Sequence, residues 1–117
     1  NDSQGHKAGD SLLKEAAARI KNNIRASDTS ARLGGDEFAV ILNSLNTPVT
    51  AEIVAKKILE TLAEPIDING RKNYIGASIG ISLYPDNGRS SDELIQRADE
   101  AMYYVKKTGK HNYRFYI

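Results

Sequence analysis

The chain has 117 residues, 40% of them hydrophobic and 26% charged, and a formal net charge of +1 at pH 7. These are ordinary values for one globular domain, long enough to bury roughly two-thirds of its unfolded surface without staples, and they argue against disorder. Cysteine is absent, which excludes a disulfide framework and a thiolate metal site, and the near-neutral charge shows no basic excess of the kind that binds nucleic-acid polymers.

In chain order, Asp10 followed by Leu12, Leu13, Ala16 and Ile20 on one face reads as an N-capped amphipathic helix that fades near Asn22 to Arg25. Thr29 to Leu33 is a short extended piece, Gly34-Gly35-Asp36-Glu37 a turn, and Phe38 to Leu42 a buried strand, so together they predict a β-hairpin. Pro48 suits the first turn of a second helix bearing Ile53, Val54, Ile58 and Leu62, and Pro65 stops it. Ile66 to Ile68, Asn69-Gly70 and then Asn73 to Leu83 read as a second hairpin with a type I′ turn. The small residues within Ile75-Gly76-Ala77-Ser78-Ile79-Gly80-Ile81-Ser82 leave room for a closely packed neighbour. Ser90 or Ser91 caps a third helix carrying Leu94, Ile95, Ala98, Met102 and Val105; Gly109 ends it, and Tyr113 to Ile117 is a final strand. The order predicts an α+β fold, with helices packed against an antiparallel sheet. No apolar run approaches the ~20 residues that span a bilayer, and no signal-peptide pattern opens the chain. The expectation is a cytoplasmic domain without membrane contact of its own.

The turn Gly34-Gly35-Asp36-Glu37 is the first constellation that can carry chemistry. Glycines let a backbone take positive φ and approach a ligand closely. Adjacent acids at a hairpin tip suit a hard cation such as Mg²⁺, which takes a few carboxylates and completes its shell with phosphate oxygens. Taken alone, the tetrapeptide is equally compatible with a solvated turn. Isolated His6 has no second ligand at metal-binding spacing, so it reads as a packing or capping residue.

The wider pattern resembles the GGDEF family of diguanylate cyclases over nearly the whole chain. It comprises Asn1-Asp2, Gly5-His6 and Gly9-Asp10-Ser11-Leu12-Leu13; Arg25-Ala26-Ser27-Asp28 ahead of Arg32-Leu33-Gly34-Gly35-Asp36-Glu37-Phe38; then Ser78 to Ser82; and Ala98-Asp99-Glu100-Ala101-Met102-Tyr103 leading to Lys106 through Asn112. The resemblance implies a palm-like, ferredoxin-like fold akin to adenylyl cyclases and polymerases. It also implies condensation of two GTP into cyclic di-GMP with Mg²⁺ or Mn²⁺, in a homodimer whose hairpins face each other.

By the same resemblance, Asp36 and Glu37 are catalytic and metal-binding, and Gly34 and Gly35 lie against substrate. Asn1 and Asp10 match a guanine-reading pair, although Asp10 equally suits the helix N-cap. Lys106 and Lys110 match a phosphate-gripping pair. The family's usual second residue is arginine, so Lys110 loses the bidentate fork. Arg25 and Asp28 match an inhibitory site for the product, with Lys56 or Lys57 as a candidate third member; the bland alternative is an exposed ion pair.

The family opens this domain with a central strand bearing an aspartate just before Asn-Asp. Starting at Asn1, residues 1–117 read as a GGDEF domain truncated at its N-terminus. The expectation is that this piece alone does not hold Mg²⁺-GTP in catalytic geometry and that its sheet edges invite pairing between chains. The tail Asn112 to Tyr116 resembles members that continue into an EAL phosphodiesterase domain, and a sensor domain is expected upstream. The competing expectation is a non-catalytic GTP- or cyclic di-GMP-binding module that controls such a neighbour.

Overall fold

The structure is a computed structural model and describes residues 2–43, 51–74, 77–108 and 112–116, with side chains from Ser11 onward. Its elements are α1 (Asp2–Asn22), β1 (Thr29–Gly34), β2 (Glu37–Asn43), α2 (Ala51–Ala63), β3 (Ile66–Ile68), β4 (Arg71–Asn73), β5 (Ser78–Tyr84), α3 (Ser91–Thr108) and β6 (Asn112–Phe115). Strands β1-β2-β5-β6 form the main sheet in that order, and β3-β4 form a separate ribbon.

Alternation along the central strands sorts their side chains onto opposite faces. Phe38, Val40 and Leu42 of β2 join Ile79 and Ile81 of β5 in one buried cluster with Ala16 and Ile20 of α1 and Ala55, Ile58 and Leu62 of α2. The other face carries Ala39 and Ile41 under α3, whose Leu94, Ala98, Ala101, Met102 and Val105 are buried. The sheet is thus sandwiched, with α1 and α2 on one side and α3 on the other. Small residues let α3 sit very close: a Cβ placed on Gly80 would lie 1.7 Å from the Ala98 carbonyl oxygen and 2.7 Å from the Met102 nitrogen.

The α+β class holds, but the sheet is mixed where an antiparallel one was expected. β1 and β2 are antiparallel, whereas β2-β5 and β5-β6 are parallel. Both connections between the parallel pairs are long crossovers, through α2 and the ribbon in one case and α3 in the other, which is what parallel neighbours require. The near-continuous burial of β2 and β5 is the matching sign of strands covered on both faces.

The second hairpin is also shorter than expected. β3 turns at Asn69 (φ 53°) and Gly70 (φ 80°), as a type I′ turn demands, and pairs only with Arg71–Asn73. Ser78–Tyr84 leaves it to enter the main sheet.

Helix α1 runs from Asp2, so Asp10 lies in a helix interior and its N-cap reading is overturned, because an N-cap residue needs a non-helical backbone. Gly5 and Gly9 are carried within this helix at a cost of about 1 kcal/mol each. The start of α3 follows expectation. Ser90 Oγ accepts from the Glu93 amide at 3.1 Å, and Glu93 Oε1 accepts from the Arg89 amide at 3.1 Å, closing a capping arrangement around the first turn. Arg19 ties α1 to the end of α2: its guanidinium donates to the carbonyls of Thr61 (2.9 Å), Glu64 (2.6 Å) and Pro65 (3.3 Å).

Candidate active site

The β1-β2 hairpin carries the acid turn. Gly34 and Glu37 are register partners, leaving Gly35 and Asp36 as the tip, and the pairing shifts between Arg32 and Gly34. Gly35 has φ +44°, a left-handed conformation that strains a residue with a side chain. The turn is braced from both sides. Arg32 Nε donates to the Gly35 carbonyl at 3.0 Å, and the Ser78 amide donates to the Asp36 carbonyl at 3.0 Å, fastening the tip to the start of β5.

Glu37 opens β2 and points to the α3 face, where its carboxylate forms an ion pair with Lys106 in the last turn of α3. The hydrogen bond to Glu37 and then the Glu37 charge raise the Lys106 ammonium above the ordinary lysine value, opposed by slight desolvation and assisted by the Asp36 charge. The ammonium also sits well at a helix C-terminus, where the backbone dipole is negative. Sequence positions 69 residues apart, 37 and 106, are thereby joined. Chemically, the arrangement offers carboxylates at a braced tip with a half-exposed cation at their side.

The residues present fit a Mg²⁺ or Mn²⁺ ion as a partial shell. Asp36 and Glu37, adjacent at the hairpin tip, could hold such an ion with two carboxylates, a number that suits Mg²⁺ completed by phosphate oxygens and water. Among the described residues no cluster of three or more His, Cys, Asp or Glu surrounds them.

Arg25 and Asp28 lie at the opposite end of the same hairpin. Asp28 Oδ2 accepts from the Arg25 amide at 2.9 Å and Oδ1 accepts from the Asn43 amide at 2.9 Å, while the Asp28 amide donates to the Arg25 carbonyl at 3.0 Å. The carboxylate therefore clamps the α1-β1 turn to the end of β2. A cleft of about 470 Å³ beside it is lined by Lys21, Asn22, Arg25, Ala26, Asp28 and Ser30 among others. Seven residues of β2, at ~3.3 Å each, set the two ends of the hairpin about 20 Å apart.

Of the other expected site residues, Asn1, Lys110 and the side chain of Asp10 lie outside the described residues. Two residues with a part in this geometry had no individual role in the sequence reading. Arg32 braces the tip, and its place in the run before Gly34 was the available signal. Ser78, beside Glu37 in the sheet, was visible only as one of several small residues.

The family described as "Diguanylate cyclase, GGDEF domain" matches residues 1–112. The chain is 45% identical over 116 residues to the bifunctional diguanylate cyclase/cyclic di-GMP phosphodiesterase MucR of Pseudomonas aeruginosa, covering 99% of this chain and 17% of MucR. It is 40% identical over 116 residues to the cyclic di-GMP phosphodiesterase NbdA of the same organism, covering 99% of this chain and 15% of NbdA. The chain thus spans about a sixth of the length of these curated relatives. Among solved structures, the GGDEF domain of TpbB (YfiN) from P. aeruginosa matches with a TM-score of 0.81 at 39% identity, over 100% of this chain and 73% of that one. No helix among the described residues is long and apolar enough to cross a membrane.

Proposed function

The chain belongs to the GGDEF family of diguanylate cyclase domains, and we propose that its parent protein condenses two GTP molecules into cyclic di-GMP at the acid turn and is inhibited by that product. The observation that carries this reading is the convergence of Asp36, Glu37 and Lys106 at one end of the sheet. In each half-reaction the 3′-oxygen of one GTP bonds to the α-phosphorus of the other, and the bond from that phosphorus to the β-bridging oxygen breaks. Pyrophosphate leaves, and the 3′-hydroxyl proton passes to a base. Two such steps close the ring, which suits a two-fold homodimer presenting one GTP from each protomer.

Mg²⁺ or Mn²⁺ held by Asp36 and Glu37 would supply neutralisation of phosphate charge. The chain's own groups do the rest. Asp36 takes the 3′-hydroxyl proton, and the glycine tip lets substrate approach the backbone. Lys106, with Lys110, grips phosphate oxygens as a point charge. Asn1 and Asp10 read the guanine edge, and Arg25 with Asp28 receives product. A sensor domain and an EAL domain are the neighbours we assign to the parent.

Asp36→Ala in the full-length parent tests this directly. Synthesis of cyclic di-GMP from GTP and Mg²⁺ should fall at least a hundredfold, the scale of losing a principal electrostatic or acid–base group, while cyclic di-GMP binding at Arg25 and Asp28 persists. Unchanged synthesis would refute the role of Asp36. A second reading, a nucleotide-binding module that regulates an adjacent phosphodiesterase, is favoured by the similarity to NbdA, whose name records only the phosphodiesterase. A wild-type parent that binds GTP without forming cyclic di-GMP would select it.

A further inference from the structure

Ser78 Oγ is a buried side-chain polar atom that has no hydrogen-bond partner among the described residues, and the residue is only 1% exposed. Burying a hydroxyl without a partner is unfavourable, and alanine would occupy nearly the same space.

The position of this hydroxyl follows from the packing of α3. Ser78, Gly80 and Ser82 share one face of β5. Ser82 Oγ donates to the Leu94 carbonyl at 2.8 Å, and Gly80 lies against Ala98 and Met102. Two strand residues advance ~6.6 Å and four helix residues ~6 Å, so the next step of the same ladder sets Ser78 beneath the α3 turn that ends at Lys106. Across the sheet, Ser78 is the register partner of Glu37, on a strand ~4.8 Å away. Glu37 itself faces α3, since it pairs with Lys106. The unpartnered hydroxyl therefore adjoins the ion pair of the acid turn.

We propose that Ser78 is a positioning residue for Glu37. When Lys106 swings to the phosphates of a bound nucleotide, the Ser78 hydroxyl donates to the carboxylate oxygen that Lys106 leaves. Glu37 then keeps its orientation at the tip instead of relaxing toward solvent. With Lys106 on the carboxylate the hydroxyl is held in reserve. The inference rests on the nucleotide-binding role of the acid turn proposed above.

The test uses the full-length parent, with Mn²⁺ affinity measured in the presence of 3′-deoxy-GTP so that no turnover occurs. Ser78→Ala is expected to weaken Mn²⁺ binding by about tenfold, the scale of one lost charge-assisted hydrogen bond, while the melting temperature of the nucleotide-free protein stays level or rises. In a Glu37→Gln background the same Ser78→Ala change should have no further effect on Mn²⁺ affinity. Unchanged Mn²⁺ affinity in Ser78→Ala would mean that the hydroxyl only fills space, and a lowered melting temperature would mean that it makes a structural bond; either overturns the proposal. A wild-type parent that neither forms cyclic di-GMP nor binds Mn²⁺ with 3′-deoxy-GTP overturns instead the reading on which it rests.

Discussion

Lys106, in the last turn of α3, is paired with the Glu37 carboxylate. Its ammonium is raised above the ordinary lysine value, first by the hydrogen bond to Glu37 and then by the Glu37 charge. The sign of the linkage follows: a cation with a raised folded-state pKa favours folding at every pH below its unfolded value, and that contribution is lost as pH rises through the raised value. Neutral pH lies well below this window, so the ammonium keeps its charge there and its contribution fades on the alkaline limb. Because Lys106 is half-exposed, screening keeps its contribution to stability small. An NMR titration of the Lys106 Nζ should place its midpoint lower in Glu37→Gln than in the wild type; coincident midpoints would remove the ion pair from the account. At this scale the hairpin turn was legible in the sequence, since glycines and acids in a short run favour one, while the same four residues suited a solvated turn equally well. The contact to Lys106 was not, because no local pattern records a meeting across 69 positions. Ser78 was hidden for a different reason: a serine in a strand reads as small and polar until its lack of a partner among the described residues is seen.

Strand β5 and helix α3 form the tightest join between elements. The alternating Ser78, Gly80 and Ser82 leave no side-chain bulk between strand and helix, and the Ala98 carbonyl fills the space a Cβ at position 80 would need. Gly80→Ala should therefore force α3 off the sheet and destabilise the domain by about 3 kcal/mol, at the upper end of overpacking costs; chemical denaturation measures it, and a loss under 1 kcal/mol would mean that α3 yields easily. The small-residue run forecast a close neighbour here correctly. Helical spacing likewise located α2, α3 and the body of α1, and the apolar run with the glycine turn before it located β1 and β2. Neither signal supplied strand direction. The unbroken apolar run Phe38 to Leu42 records burial on both faces, and in a strand this short that run does not by itself fix the direction of its neighbour. The Asp10 helix start failed for a related reason, since a good capping residue also occurs inside a helix that begins earlier.

Across the whole molecule, the main hairpin acts as a strut with the acid turn at one end and Arg25 with Asp28 at the other. On the reading proposed above, product at the far end would lie too far from the acid turn to touch it, so inhibition would act through the placement of the domain or its partner. If Arg25 forks to guanine and phosphate as proposed, Arg25→Ala in the parent should relieve inhibition by cyclic di-GMP by roughly tenfold or more, with kcat at low product unchanged. Equal inhibition in the variant would remove Arg25 from that role. Asp28 is the poorer probe, because its carboxylate accepts two backbone amides and its loss would loosen the fold itself. The β3-β4 ribbon stands outside this strut altogether. Its tip, Asn69-Gly70, is exposed, and a Cβ on Gly70 would meet nothing within 4 Å. For anyone wishing to instrument the protein, that tip is the natural attachment point: a short reporter peptide spliced there leaves the main sheet and both ends of the hairpin untouched.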